Sequence, residues 1–79
     1  MDYKQAVKEL TIMLLYLTSW QEKDFYNSQR AWKGYDFDIL NELAEDGVIS
    51  DSKRSKSVVI HEEGVKMAKE LLQKYGLDL

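Results

Sequence analysis

Residues 36–64 read DFDILNELAEDGVISDSKRSKSVVIHEEG, and the hydrophobic period changes twice within them. Phe37, Leu40, Leu43 and Ala44 recur at helical spacing, Asp36 stands where an N-cap belongs, and Gly47 stands where a helix takes its C′ glycine. Val48-Ile49 follows at once, then the polar run Ser50 to Lys56, then the β-branched run Val58-Val59-Ile60. An apolar pair, a polar loop and an apolar run predict a β-hairpin. From about Glu62 the helical period returns. Val65, Ala68, Leu71, Leu72 and Tyr75 share a face, Glu62 and Glu63 fill the first turn, Lys74 the last, and Gly76 the stop.

Toward the N-terminus, Asp2 to about Thr18 predicts another helix. Tyr3, Val7, Leu10, Leu14 and Leu17 follow one another in alternating steps of four and three, and Ala6, Met13, Tyr16 and Trp20 make a second stripe beside them. From Ile12 to Leu17 this helix is apolar all round, so it must be covered on more than one side. Two readings stand: the helix runs through the middle of one chain, or Ile12, Met13, Leu15 and Tyr16 are covered by a second chain. The second makes those four the expected interface of a homodimer.

Between these helices the pattern is weakest. Thr18 and Ser19 interrupt the period, and Ser19 with Glu22 has capping-box spacing, so a new helix could start there. The stretch Trp20 to Phe37 holds Trp20, Phe25, Tyr26, Trp32, Tyr35 and Phe37 among Arg30 and Lys33, with Tyr26-Asn27-Ser28-Gln29 poor helix material and Gly34 a turn.

The composition narrows the chemistry. With 79 residues, the chain is one domain, and a chain this short buries only about 60% of its unfolded surface, which favours self-association. There is no cysteine and one histidine, so disulfides, thiolate zinc sites and histidine clusters are excluded. The start MDYKQAVKEL has no basic stretch leading into an apolar one, and the longest apolar run, Ile12 to Leu17, is far below the roughly 20 residues that span a bilayer. The expectation is a cytoplasmic protein that makes no membrane contact. A net charge of −3 gives no global attraction to nucleic acid.

Leu40-x-x-Leu43-x-x-x-Gly47-Val48-Ile49, the polar hairpin, then Val58-x-Ile60-x-Glu62-Glu63-Gly64 resembles the second half of a winged helix-turn-helix domain of bacterial regulators. The resemblance implies an α+β, mostly helical, winged-helix-like domain over residues 1–79, with three or four helices and a two-stranded hairpin wing. It puts residues 36–46 in place of the recognition helix and 51–56 in place of the wing. The stretches Leu14-Leu15-Tyr16-Leu17-Thr18-Ser19, Arg30-Ala31-Trp32-Lys33-Gly34-Tyr35-Asp36 and Lys56-Ser57-Val58 also resemble a small bacterial family of short domains of unknown function, which implies no activity. His61 stands where such winged domains more often place a threonine cap, and imidazole caps less well.

Lys53, Arg54 and Lys56 form the one segment with a clear positive excess, suited to phosphate oxygens of double-stranded DNA; a solvated loop kept soluble by its charge accounts for them equally well. The would-be recognition helix instead carries Asp36, Asp38, Glu42, Glu45 and Asp46 and no cation, which argues against ordinary major-groove insertion. The other expected nucleic-acid contacts are therefore Arg30 and Lys33. Trp32 and Tyr35 could serve as a stacking platform or as core. No catalytic residue is expected: there is no cysteine nucleophile and no glycine-rich phosphate loop. Asp24, Asp36 and Asp38 are explained more simply as helix-start carboxylates than as a cation site, so neither metal nor cofactor is expected. The sequence thus points to a regulator-like DNA-binding module, with a protein-interaction module built on the acidic third helix or the apolar first helix as the alternative.

Overall fold

The computed structural model describes residues 2–23 and 28–77. In chain order they form α1 (Tyr3–Leu17), β1 (Trp20–Gln21), β2 (Gln29–Trp32), α2 (Phe37–Glu45), β3 (Ile49–Asp51), β4 (Ser57–Ile60) and α3 (Glu62–Lys74). The architecture is α+β, about half helical, with one antiparallel sheet of order β1-β2-β4-β3.

Local chemistry sets the ends of these elements. Asp2 accepts from the backbone N–H of Gln5 at the start of α1, and Asp36 accepts from Asp38 and Ile39 at the start of α2. α2 ends in a Schellman wrap: Gly47 N–H reaches Ala44 O and Val48 N–H reaches Leu43 O, at 3.1 and 3.2 Å. The wrap needs Gly47 at φ 79°, a conformation that costs a side chain energy. It also turns Val48 into the core cluster that holds Leu43. A second wrap of the same kind ends α3, with Leu77 N–H on Leu72 O at 2.8 Å.

In the sheet, Ile49 and Asp51 stand opposite Ile60 and Val58, and Ala31 stands opposite Val58. These residues share the inner face. Ile12 and Leu15 of α1, Ile39, Leu40 and Leu43 of α2 and Ala68 of α3 pack onto it, so all three helices lie on one side of the sheet. Gly64, in the first turn of α3, lets that helix approach the chain just before β3: a Cβ there would collide with Val48 O and sit 2.9 Å from Ile60 Cγ2.

Two expectations are corrected. The first is the two-stranded hairpin. Ser19 caps no helix; its hydroxyl donates to Tyr16 O and accepts from the Gln29 side chain, and the chain runs on into β1. β2 then pairs with β4 over four residues, which widens the expected hairpin into a four-stranded sheet. Because β2 rather than a helix leads to α2, the first helix of a helix-turn-helix pair is missing among the described residues. Asp24, Phe25 and Tyr26, named in the sequence analysis, lie outside those residues.

The second correction concerns α1. Ile12, Met13 and Leu15 are buried within this one chain and Tyr16 is half-buried against its core, so these four do not form an open dimer face. The other stripe, Tyr3, Val7, Leu10, Leu14 and Leu17, faces outward. Charge accompanies packing in this rotation of the helix. Lys4 pairs with Glu42 at 3.2 Å and Lys8 with Asp46 at 2.5 Å, two pairs four residues apart on each helix. Asp46 holds the Lys8 ammonium above its ordinary pKa, chiefly through this hydrogen bond.

Candidate functional site

The loop joining β3 to β4 carries Lys53, Arg54 and Lys56, all exposed. Serines rather than cations hold its shape: Ser52 O accepts from Ser55 N–H at 3.1 Å, Ser52 Oγ from Arg54 N–H, and Ser55 Oγ from Ser57 N–H. None of the three cations enters an ion pair with another described residue.

Lys33 has a different place. Its ammonium lies 2.7 Å from Asp51 Oδ1, donates to Ser52 O at 2.7 Å, and is mostly shielded from water. Its backbone N–H also reaches Lys56 O. Lys33 therefore clamps the base of the hairpin to the end of β2, and a neutralised ammonium has little left for a phosphate. The pairing has a second effect: with Asp51 balanced by Lys33, Lys53, Arg54 and Lys56 remain uncompensated at the tip.

The outer face of the sheet was not legible as a site. Trp20 stands opposite Arg30 across β1 and β2, Arg30 stands opposite Val59, and Trp32 stands opposite Ser57. Since facing residues of paired strands project to the same side and alternate along each strand, Trp20, Arg30, Trp32, Ser57 and Val59 share the face that no helix covers among the described residues. Trp32 is 64% exposed, and its ring centroid lies 4.8 Å from that of Trp20, with the planes tilted by 42°. The Trp20 indole N–H donates to Glu22, and Arg30 donates to Ser57 Oγ at 3.2 Å. Tyr35 packs on the core, the second of the two readings given to it, and the ring that Trp32 meets is Trp20. Trp32 ends β2 directly beside the strand that Lys56 leads into. Flat rings, Arg30 and the hairpin cations thus form one neighbourhood.

The acidic helix is less acidic in space than in sequence. Asp36 is engaged as a cap, and Glu42 and Asp46 are paired to α1, which leaves Asp38 and Glu45 as its open carboxylates. His61 makes no cap bond; its Nδ1 lies 2.9 Å from Gly47 O and its Nε2 2.5 Å from Ser50 Oγ, so the ring ties the end of α2 to β3. Among the described residues, no group of three His, Asp or Glu side chains could hold a metal ion, and no helix is long and apolar enough to cross a membrane.

Residues 3–78 match the family described as Domain of unknown function (DUF6429). The chain belongs to this family. The chain is also similar to the uncharacterized protein y4hR of Sinorhizobium fredii strain NGR234, 33% identical over 72 residues that cover 90% of this chain and 89% of that protein. No solved structure matches the chain. The DUF6429 match covers all three helices and all four strands, so the whole fold described above, outer sheet face included, lies inside the family's span.

Proposed function

We propose that this DUF6429 domain is a non-enzymatic DNA-binding module that grips the phosphate backbone through its β3–β4 hairpin, used as a wing, with Arg30 and the Trp20–Trp32 pair beside it. The observation that carries this reading is the set of three uncompensated, exposed cations at the tip of a hairpin whose own acid, Asp51, is balanced by Lys33. Phosphates attract such a tip without regard to sequence, and exposed indoles next to it offer faces to which bases can stack. Seen as a winged-helix relative, the domain keeps the wing and the closing helix and has a β-hairpin where the first helix of the reading pair would stand. Contact through the wing suits that arrangement, because α2 carries no cation.

The test uses a convenience of the sequence: both tryptophans of the chain lie on the proposed face. Titration with a mixed-sequence duplex and with a single strand, followed by tryptophan emission and by anisotropy of a labelled oligonucleotide, should show binding at about 50 mM salt. Three or four phosphate contacts should weaken duplex binding about 40- to 150-fold between 50 and 200 mM salt. Lys53→Ala with Arg54→Ala should remove most of the affinity. Quenching by the single strand alone would assign the site to exposed bases, and no binding to either at 50 mM would overturn the reading.

The protein-interaction alternative draws on a separate observation, the exposed stripe of α1. The acidic helix supports it less, since two of its five carboxylates are already paired within the chain.

A further inference from the structure

Tyr3, Val7, Leu10, Leu14 and Leu17 are all exposed, Tyr3 and Leu10 by 91% and 55%. Their steps of four, three, four and three average 3.5 residues, the spacing that keeps a seam facing one partner helix. On α1 the seam is about 21 Å long at 1.5 Å per residue. It does not end at the helix border. Ala6, Glu9, Leu10, Met13, Tyr75 and Leu77 line a groove of about 330 Å³ between α1 and the end of α3, with almost wholly apolar walls. The Schellman wrap at the end of α3 brings Leu77 to this groove, and Tyr75 is fastened there by its hydroxyl, which donates to Glu9 Oε1 at 2.5 Å.

We infer that this seam is the contact surface for α1 of a second copy of the same chain. Area is the first argument. The five seam side chains with Tyr75 and Leu77 leave about 700 Å² open, against roughly 800 Å² per partner in a standard interface and a few hundred Å² for the apolar patches of ordinary monomers. Charge is the second. The charged groups bordering the seam are engaged within the chain: Lys4 and Lys8 with Glu42 and Asp46, Glu9 with Tyr75 and the Gln5 amide, and Lys74 over the Tyr75 ring at 5.3 Å. A charged partner would find no opposite charge to select it, and a second copy meets no unpaired like charge. Symmetry is the third: Leu10 stands seven residues from each end of the seam, so a two-fold axis beside Leu10 sets Tyr3 against Leu17, Leu10 against Leu10 and Val7 within one residue of Leu14. The seam lies on the helical side of the fold, so pairing leaves both hairpins and both outer sheet faces open. The inference stands independently of the DNA reading.

Light scattering on the whole chain at about 100 μM should give twice the 9.3 kDa of one chain. Leu10→Glu and Leu14→Glu remove apolar contacts from side chains already half in water, so circular dichroism should stay native while the mass halves. The absence of cysteine permits a second readout. Leu10→Cys should form a cystine-linked pair under mild oxidation at least tenfold faster than Lys53→Cys at the hairpin tip. A wild-type monomer at 100 μM, an assembly larger than two, a folded Leu14→Glu variant that still pairs, or equal cross-linking at the two positions would each overturn the inference.

Discussion

Alanine at Gly64 tests the close approach of α3 to the chain before β3. An added Cβ would overlap Val48 O and press on Ile60 Cγ2 at 2.9 Å. Neither neighbour can step aside cheaply: Val48 O is backbone and accepts the His61 N–H at 3.0 Å, and Ile60 is buried on the inner face of β4. Three effects compete. Alanine is favoured over glycine within a helix by about 1 kcal/mol. Overpacking costs about 1–3 kcal/mol, and a weakened bond at the Val48 carbonyl about 1–2 kcal/mol more. The net expectation is a loss of about 1–4 kcal/mol, centred on about 2.5 kcal/mol, a large share of the roughly 4–12 kcal/mol available to a domain of this size. At about 4–8 °C per kcal/mol, Tm should fall by about 10–20 °C. Thermal and urea unfolding followed by circular dichroism would measure it, with Gly34→Ala as the control, since nothing lies within 4 Å of a Cβ there. If the Gly64 variant melts at or above the wild-type temperature, α3 does not sit against Val48 and the close approach is refuted.

Three further outcomes follow from the same geometry. Asp36→Ala leaves two N–H groups of α2 without their acceptor and should cost about 1 kcal/mol in urea unfolding, whereas Asp38→Ala should change little. Lys33→Ala should destabilise by about 1–3 kcal/mol, because it strands a shielded Asp51 carboxylate, while Lys53→Ala should leave the melting temperature unchanged; this separates a structural lysine from one proposed to touch DNA. The Glu9–Tyr75 clasp should show in pH. The Tyr75 hydroxyl, and after it the Gln5 amide, hold the Glu9 carboxyl below its ordinary pKa, so the clasp's contribution is present above the carboxylate range and is lost as pH falls through the lowered value. The bond to Glu9 raises the Tyr75 phenol, so at the other end the contribution is lost as pH rises through that raised value. Glu9→Gln should flatten the acid side of the stability profile, and an unchanged profile would count against the clasp.

The parts of the fold that announced themselves in sequence did so because one physical signal dominated each. A single apolar stripe and a terminal glycine mark α2 and α3, with the Asp36 cap for α2 and the first-turn glutamates for α3, and the structure places them at Phe37–Glu45 and Glu62–Lys74. The β1–β2 pairing was hidden because its alternation is inverted: along Gln29-Arg30-Ala31-Trp32 the inward positions hold Gln29 and Ala31, while the largest apolar group, Trp32, points to water. On α1 two apolar stripes compete, and hydrophobicity alone does not decide which turns inward. The stripe that turns inward is the one that also brings Lys4 and Lys8 against Glu42 and Asp46, a match spaced by four that only the packed helices bring together. For the candidate site, the hairpin cations were legible as a local excess. The separation of Lys33 from them was not, because its partner Asp51 lies 18 residues along the chain.

The packing of α1 against α3 also orders events during synthesis. Ile12 and Leu15 leave the ribosome early, yet the residues that cover them include Ala68, and the Tyr75 that fastens the two helices comes 66 residues after its acceptor Glu9. The central strand pair, β2 with β4, likewise joins segments about 28 residues apart. At about 5–20 residues per second, the apolar side of α1 waits several seconds for its cover. The cover of α1 thus waits on α3, whose covering residues follow it by about 50 positions or more in the chain.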